Sequence, residues 1–285
     1  MLTANHRHLE YLVIGHITED VIDGGFVNGG TASYSSLTAK AFSLETGVIT
    51  AGSSDMTHLP ALTGISVNQK PSFATTTFKN IETPSGRKQY LLKHAEKLTA
   101  QDIPDQWLSS GIVHLGPVAQ ETDEHIMSRF PDAFIGATPQ GWMRGWDNDG
   151  LVSYSPWTPS AAFLKRVDAV VLSIEDVLGN EDVIDDLARK LDVLVVTEGY
   201  NGARVYWHGD VRRFSAPLVD VIDPTGAGDI FAAVFFIRLH ATRDPWHSAI
   251  LAVELASLSV SRQGLAGIPT KEEINSAMVE LFKES

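Results

Sequence analysis

The chain has 285 residues, is 44% hydrophobic and 20% charged, and sets Lys+Arg 22 against Asp+Glu 35 for a formal net charge of -13. This composition excludes wholesale disorder, and a chain of this length buries about three quarters of the surface its unfolded form exposes, enough for a core without staples. The lack of cysteine excludes disulfides, thiolate catalysis, iron–sulfur clusters and cysteine zinc sites, and the acidic balance argues against nucleic acid as a partner. The N-terminal MLTANHRHLEY lacks the apolar core of a signal peptide, and the apolar run Ile230 to Ile237 is far too short to span a bilayer. A soluble, cytoplasmic protein without a membrane partner is expected.

Taken in chain order, YLVIG (Tyr11 to Gly15), GVITA (Gly47 to Ala51), IVHLG (Ile112 to Gly116), FIGA (Phe134 to Ala137), AVVLS (Ala169 to Ser173) and VLVVT (Val193 to Thr197) read as strands. They are apolar on both faces, as central strands of a parallel sheet are. Helical patterns fall between them, over about Thr31 to Phe42, Glu121 to Arg129 and Asn180 to Lys190. The alternation predicts a three-layer α/β fold with its site at the carboxyl ends of the strands. Ser72 to Leu92 alternates polar and apolar residues around a Pro-Ser-Gly turn and predicts an antiparallel hairpin that serves as a lid. Arg204 to Ser215 predicts a second hairpin, turning at His208-Gly209-Asp210, and helices follow over Gly228 to about Leu239, Pro245 to about Ser261 and Lys271 to Lys283. With no repeat or linker, the chain reads as a single domain, 1–285, carrying a small lid formed mainly by 72–92 with 20–28 as a second contributor.

The strongest chemical signal is Asp223-Pro-Thr-Gly-Ala-Gly-Asp229, followed at once by IFAAVFFIRL. A glycine-rich turn opening an apolar helix aims unpaired N–H groups and the positive end of the helix dipole at one point, which is an anion site. Asp229 stands in the first turn, where a carboxylate is a suitable base for a hydroxyl attacking a phosphoryl group. Asp20 follows the first strand, and Arg87 on the predicted hairpin and Arg144 between tryptophans carry planar forks suited to anions; Arg144 also has Trp142 near it to stack on. The ten histidines show no HExxH spacing, and neither a GxxxxGK[ST] loop nor the HRD and DFG signatures occur.

The 223–229 motif resembles the C-terminal signature of the ribokinase-like (PfkB) carbohydrate kinases. Val13 to Asp20, Gly29-Gly30-Thr31-Ala32-Ser33, Thr138 to Arg144 and Thr197-Glu198-Gly199-Tyr200-Asn201-Gly202 are similar to further family segments in the family's order, and the pattern is closest to plant myo-inositol kinases. The resemblance implies a three-layer α/β/α sandwich with a mostly parallel sheet and a small β lid. It implies an ATP-dependent, magnesium-requiring kinase acting on a hydroxyl of a small polyol or sugar; a nucleoside kinase and a non-catalytic metabolite sensor of the same fold stay open. By the family's pattern Asp229 is the base, with Gly226, Ala227 and Gly228 forming the anion hole. Asp20, Gly29, Gly30, Arg87, Gln140 and Arg144 would hold the acceptor, and Thr197, Gly199, Gly202, Thr225, Gly226 and Gly228 the nucleotide. Asp176 would reach Mg2+ through water. A monovalent cation, and the choice between monomer and homodimer, are left open. Tyr34 stands where many family members have Asn, which suggests packing there in place of a hydroxyl contact.

Overall fold

The computed structural model describes residues 8–53, 59–83 and 86–284. The chain starts with β1 (Tyr11–Ile14), β2 (Thr18–Ile22), β3 (Gly25–Gly29), α1 (Thr31–Ala41), β4 (Thr46–Gly52), β5 (Ser66–Pro71), β6 (Thr77–Thr83), β7 (Gly86–Lys93), β8 (Ile112–Leu115) and β9 (Phe134–Ala137). It continues with β10 (Arg144–Trp146), β11 (Val152–Tyr154), α2 (Ala161–Arg166), β12 (Ala169–Ser173), α3 (Glu181–Lys190), β13 (Val193–Thr197), β14 (Ala203–Trp207), β15 (Asp210–Phe214), α4 (Ala227–Thr242), α5 (Pro245–Ser259) and α6 (Lys271–Glu284).

A nine-stranded sheet, ordered β15-β14-β13-β12-β9-β8-β1-β4-β5, forms the middle layer. Its strands pair in parallel from β13 to β5, and the hairpin β14–β15 closes one edge in antiparallel register. Alternate residues of each strand serve opposite faces. Tyr11, Val13, Val48, Ile112, Val171 and Val195 pack with α4 and α5, whereas Leu12, Ile14, Ile49, Val113, Leu172 and Val196 pack with Phe163 of α2 and Ile184 and Leu187 of α3. Both faces are therefore apolar, and the strands read as uninterrupted hydrophobic runs. Helix α4 is apolar all round and buried, as a helix wedged between sheet and further helices must be. Helix α1 instead packs through small polar residues whose hydroxyls turn back to the backbone, Ser33 to Gly29 at 2.7 Å and Thr38 to Tyr34 at 2.8 Å, which lets it lie close to α4.

A second sheet, ordered β3-β2-β6-β7, stands apart from the first. Strands β6 and β7 are the hairpin expected at 72–92; β2 and β3 complete the sheet, β2 pairing antiparallel with β3 and parallel with β6. Four chain passages join the two sheets, and all four meet at His16, which is fully buried. Its N–H donates to Glu121 Oε1 at 2.9 Å, its Nδ1 lies 2.7 Å from Thr76 Oγ1, and its Nε2 lies 3.0 Å from the Glu96 carbonyl. Its own carbonyl lies 2.7 Å from where a Cβ on Gly30 would be, so the fourth passage needs glycine there. Burial lowers the His16 pKa and keeps the ring neutral, which suits a ring that donates from one nitrogen and accepts at the other.

Glu121 corrects one expectation. The segment 121–129 is not an α-helix but a 3-10 turn over Glu124–Arg129. The Glu121 carboxylate is buried and accepts the amides of His16, Val118 and Ala119 at 2.7–3.0 Å, and Gln120 before it has φ 57, so the backbone leaves helical geometry there. Among the described residues no helix is long and apolar enough to cross a membrane.

Candidate active site

An open α/β sheet holds ligands at the carboxyl ends of its strands, and Asp176, just after β12, acts by its charge on Asp229 in the first turn of α4. Gly226 caps α4 with φ 80, in the left-handed region. A Cβ there would fall 2.2 Å from two ring carbons of Tyr34, so this glycine makes room for the tyrosine ring; Tyr34 packs beneath the turn, as its aromatic character suggests. Gly228 differs, because a Cβ on it would meet nothing within 4 Å. The Ala227 amide donates to the Pro224 carbonyl at 3.2 Å within the turn. The amides of Gly226 and Gly228 find no partner among the described residues. Asp223 braces the turn, accepting the amides of Thr225 at 2.9 Å and Gly264 at 2.8 Å.

Asp229, in the first turn of α4, is half-buried and accepts the Thr31 hydroxyl at 2.7 Å. Ser35 of α1 donates to its backbone carbonyl at 3.2 Å, so the packing of α1 on α4 fixes the carboxylate. Burial raises its pKa to about 6; the Thr31 hydrogen bond and the Arg144 charge oppose the rise, and the charge of Asp176 adds to it. A carboxylate titrating near 6 is ionised at neutral pH yet basic enough to accept a proton.

Asp20 lies in β2, not directly after the first strand. A Cβ on Gly29 would come within 2.4 Å of its Oδ2, so the carboxylate lies across Gly29. The run Gly29-Gly30-Thr31 therefore spans from one carboxylate to the other, with Asp20 over its first glycine and Asp229 bonded to its threonine. Burial raises the Tyr34 hydroxyl pKa well above the phenolic range, helped by the charges of Asp229, Asp223 and Asp20.

Other expected residues are recast. Arg144 does not stack on Trp142: its guanidinium lies 5.5 Å from the Phe78 ring centroid and donates to the Val118 carbonyl at 2.9 Å, while Trp142 stacks on Trp157. Gln140 donates to Asp176 Oδ1 at 3.0 Å. Asp176 closes a capping box with Ser173, whose amide reaches Oδ2 at 2.8 Å, and burial raises its pKa. It is thus engaged within the protein through both carboxylate oxygens. Arg87 pairs with Glu82 in register between β7 and β6, and its side chain lies outside the described residues. Thr197 ends β13, its hydroxyl 3.4 Å from the Leu172 carbonyl. Gly199 opens a turn with φ 57 and open space around it, whereas a Cβ on Gly202 would meet the Phe214 carbonyl at 1.9 Å, so Gly202 serves the β14–β15 hairpin. Thr225 is exposed on the turn before Gly226.

Sequence reasoning missed Thr31 as a partner of Asp229, and missed Asn80 and Gln89 altogether. Asn80 donates to Asp20 Oδ1 at 3.4 Å and accepts from Gln89 Nε2 at 3.0 Å. Only the Gly-Gly-Thr run could have pointed to Thr31; nothing in a linear reading marks the other two.

Residues 171–271 match the family model for pfkB family carbohydrate kinases. Over 187 residues the chain is 30% identical to inositol 3-kinase of Zea mays, an alignment covering 64% of this chain and 46% of that one. The chain spans less than half the length of the first curated relatives it matches. Among solved structures, a pyrophosphate-dependent kinase in the ribokinase family complexed with a pyrophosphate analog and myo-inositol superposes with a TM-score of 0.76 at 20% identity, covering 93% of this chain and 99% of that one. Ribokinase of Arabidopsis thaliana complexed with ribose and ATP superposes with a TM-score of 0.71 at 14% identity, covering 95% and 99%. At these identities the superpositions establish the fold, which is ribokinase-like.

Proposed function

We propose, on the premise that this chain carries a pfkB family carbohydrate kinase domain in a ribokinase-like fold, that it transfers a phosphoryl group to a hydroxyl of a small polyol or sugar. The observation that carries this reading is Asp229: a half-buried carboxylate, fixed by Thr31, in the first turn of a helix whose glycine turn presents the amides of Gly226 and Gly228. Asp229 takes the proton of the acceptor hydroxyl as that oxygen attacks the terminal phosphorus in line. The two amides and the dipole of α4 face the charge that builds on the transferred group. Asp20, across Gly29, holds other hydroxyls of the acceptor. The small sheet, formed by 77–93 together with 18–29, closes over the acceptor as a lid and excludes water, so that the donor is not hydrolysed.

ATP is the proposed donor, and the inositol 3-kinase likeness makes an inositol the first acceptor to try. The open space at Gly228 and the unpartnered amides of the turn fit a phosphate chain. For Mg2+ the fit differs: Asp176 is engaged by Ser173 and Gln140, and among the described residues no group of three or more His, Asp or Glu side chains could hold an ion. The magnesium of a kinase would neutralise donor phosphates, and no step is assigned to it through Asp176.

The test is donor consumption against a panel of inositols, pentoses, hexoses and nucleosides, with ATP and pyrophosphate compared and products mapped by phosphorus NMR. A phosphorylated polyol or sugar is expected. Donor hydrolysis without phosphorylated product from any acceptor would overturn the reading.

A further inference from the structure

Three buried polar side chains cross the main sheet as one hydrogen-bonded chain. Tyr11 opens β1, His114 is the third residue of β8, and Thr138 follows β9 directly, so the chain climbs diagonally to the carboxyl edge. The Tyr11 hydroxyl lies 3.0 Å from His114 Nδ1, and His114 Nε2 lies 3.0 Å from Thr138 Oγ1. Tyr11 and His114 are fully buried, and the His114 ring meets the Phe236 ring of α4 edge-on.

The surroundings fix the direction of this chain. Burial, helped by the Asp229 charge, raises the Tyr11 pKa, so Tyr11 keeps its proton. Burial lowers the His114 pKa to about 3, so the ring is neutral and carries a single N–H. Were that N–H on Nδ1, it would donate to Tyr11 and leave the buried Tyr11 proton without an acceptor among the described residues, which is costly. With the N–H on Nε2, Tyr11 donates to Nδ1, Nε2 donates to Thr138 Oγ1, and both buried protons are bound. The proton left over belongs to Thr138, the last member of the chain. Thr138 stands at the N-cap position of the 3-10 turn Pro139–Gly141 without a side-chain cap bond, so its O–H has no acceptor among the described residues.

That hydroxyl lies close to where Asp229 is held. A Cβ on Gly116, just past β8, would fall 2.5 Å from Thr31 Cγ2 and 3.6 Å from Thr138 Oγ1, so the two threonines flank one glycine. Thr31 donates to Asp229, and Gln140, two residues beyond Thr138, donates to Asp176, whose charge acts on Asp229. Ionised carboxylates only accept, whereas the oxygens of a phosphoryl group need donors. Thr138 offers one from β9, an element separate from the α4 turn.

Resting on the kinase reading above, we infer that Thr138 is a further catalytic residue: its O–H donates to an oxygen of the phosphoryl group in transfer, and Tyr11 and His114 are positioning residues that keep this proton turned toward the site. A donor aimed at charge that builds during transfer acts on kcat more than on binding.

Nitrogen NMR of the wild type, with His114 assigned by the loss of its ring signals in His114→Gln, reads the direction of the chain. The proton should reside on Nε2, and a proton on Nδ1 would overturn the inference. Inorganic phosphate, added as the probe, should shift the His114 Nε2 signal in the wild type but not in Thr138→Val; no shift in the wild type would also overturn it. In steady-state kinetics Thr138→Val should lose at least ~10-fold in kcat with both KM values nearly unchanged, while Thr138→Ser keeps most of the rate. Tyr11→Phe should lose less, and Tyr11→Phe/Thr138→Val no more than Thr138→Val alone, because Tyr11 acts through Thr138. Losses that multiply in the double variant, or a folded Thr138→Val with wild-type kcat, would overturn the inference. Melting curves identify any variant that fails to fold, and the ring signals of the wild type decide in that event. A wild type with the proton on Nε2 and a response to phosphate, but no phosphotransfer to any acceptor, would uphold Thr138 as an anion donor and overturn the kinase reading.

Discussion

The two ends of the proposed acceptor site are built in opposite ways. At one end Asp229 sits on an apolar, buried helix, its carboxylate bonded by Thr31 and its backbone by Ser35 of a second helix. At the other, Asp20 lies on a thin sheet whose strands stay largely accessible, with Ile22 48% and Val27 46% exposed, and is supported by side-chain amides. A proton acceptor must be held to a fraction of an ångström and tuned by burial, which requires the dense half. Recognition of a hydroxyl pattern requires polar groups that can be exchanged without disturbing a core, which the thin half supplies.

The largest effect should come from the dense half. Asp229→Asn preserves shape and the Thr31 contact but removes the base, so kcat should fall by at least ~100-fold, with donor binding retained by calorimetry. Asp20→Ala, by contrast, should raise the acceptor KM at least ~10-fold with a smaller change in kcat. Equal losses in kcat from both variants would erase the contrast.

Next in size is Gly226→Ala. The new methyl meets the Tyr34 ring at 2.2 Å in a backbone at φ 80, so unfolding free energy should drop by about 2–4 kcal/mol. Gly228→Ala enters open space and should leave stability within about 1 kcal/mol of wild type while weakening donor binding. Denaturant titration of both variants, with donor affinity alongside, makes the check.

Asp229→Asn should also be more stable than the wild type at alkaline pH. Its folded pKa, about 6, is raised from 3.8, so the stability linked to this group is fully present below pH 3.8 and is lost as pH rises through 6. Asn does not titrate, so its advantage should grow from nothing near pH 4 to about 1–2 kcal/mol above pH 7. Denaturation at pH 4.5 and pH 8 reads the difference, and a constant gap would refute the linkage.

The smallest effects are shifts of the acid limb of kcat/KM, expected near pH 6 because protonated Asp229 cannot accept a proton. Arg144→Gln removes an opposing charge and should move the limb up. Asp176→Asn removes a like charge and should move it down, each by up to about 1 unit. Shifts of the same sign would break the electrostatic account.

What could be read in advance follows the same division. Strands of the main sheet announce themselves because both faces are buried, and Asp229 because its turn chemistry is contiguous in sequence. Strand β5, SVNQKP, is an edge strand with half-exposed residues and carries no such pattern. Stacking on Trp142 is one role the sequence offers Arg144, because the two are near neighbours along the chain. In the fold Trp142 follows a 3-10 turn onto Trp157, and Arg144, at the start of β10, reaches Phe78. Asn80 and Gln89 escape a linear reading for a physical reason: alternation shows which residues share a face, but which face covers the site depends on how the small sheet is mounted.

That mounting has a consequence for how the molecule can change over generations. Every chain passage between the two sheets runs past His16, and β7 is held a second time where the Leu91 amide donates to the Gly150 carbonyl at 2.8 Å, so the small sheet is a cassette mounted at two places. The helix that carries Asp229 and the Ser35 contact to its backbone lie outside that sheet, so changes in its outer strands reach Asp229 only through Thr31 and Arg144. Drift in acceptor preference is then cheap in this architecture, and drift in the reaction itself is not.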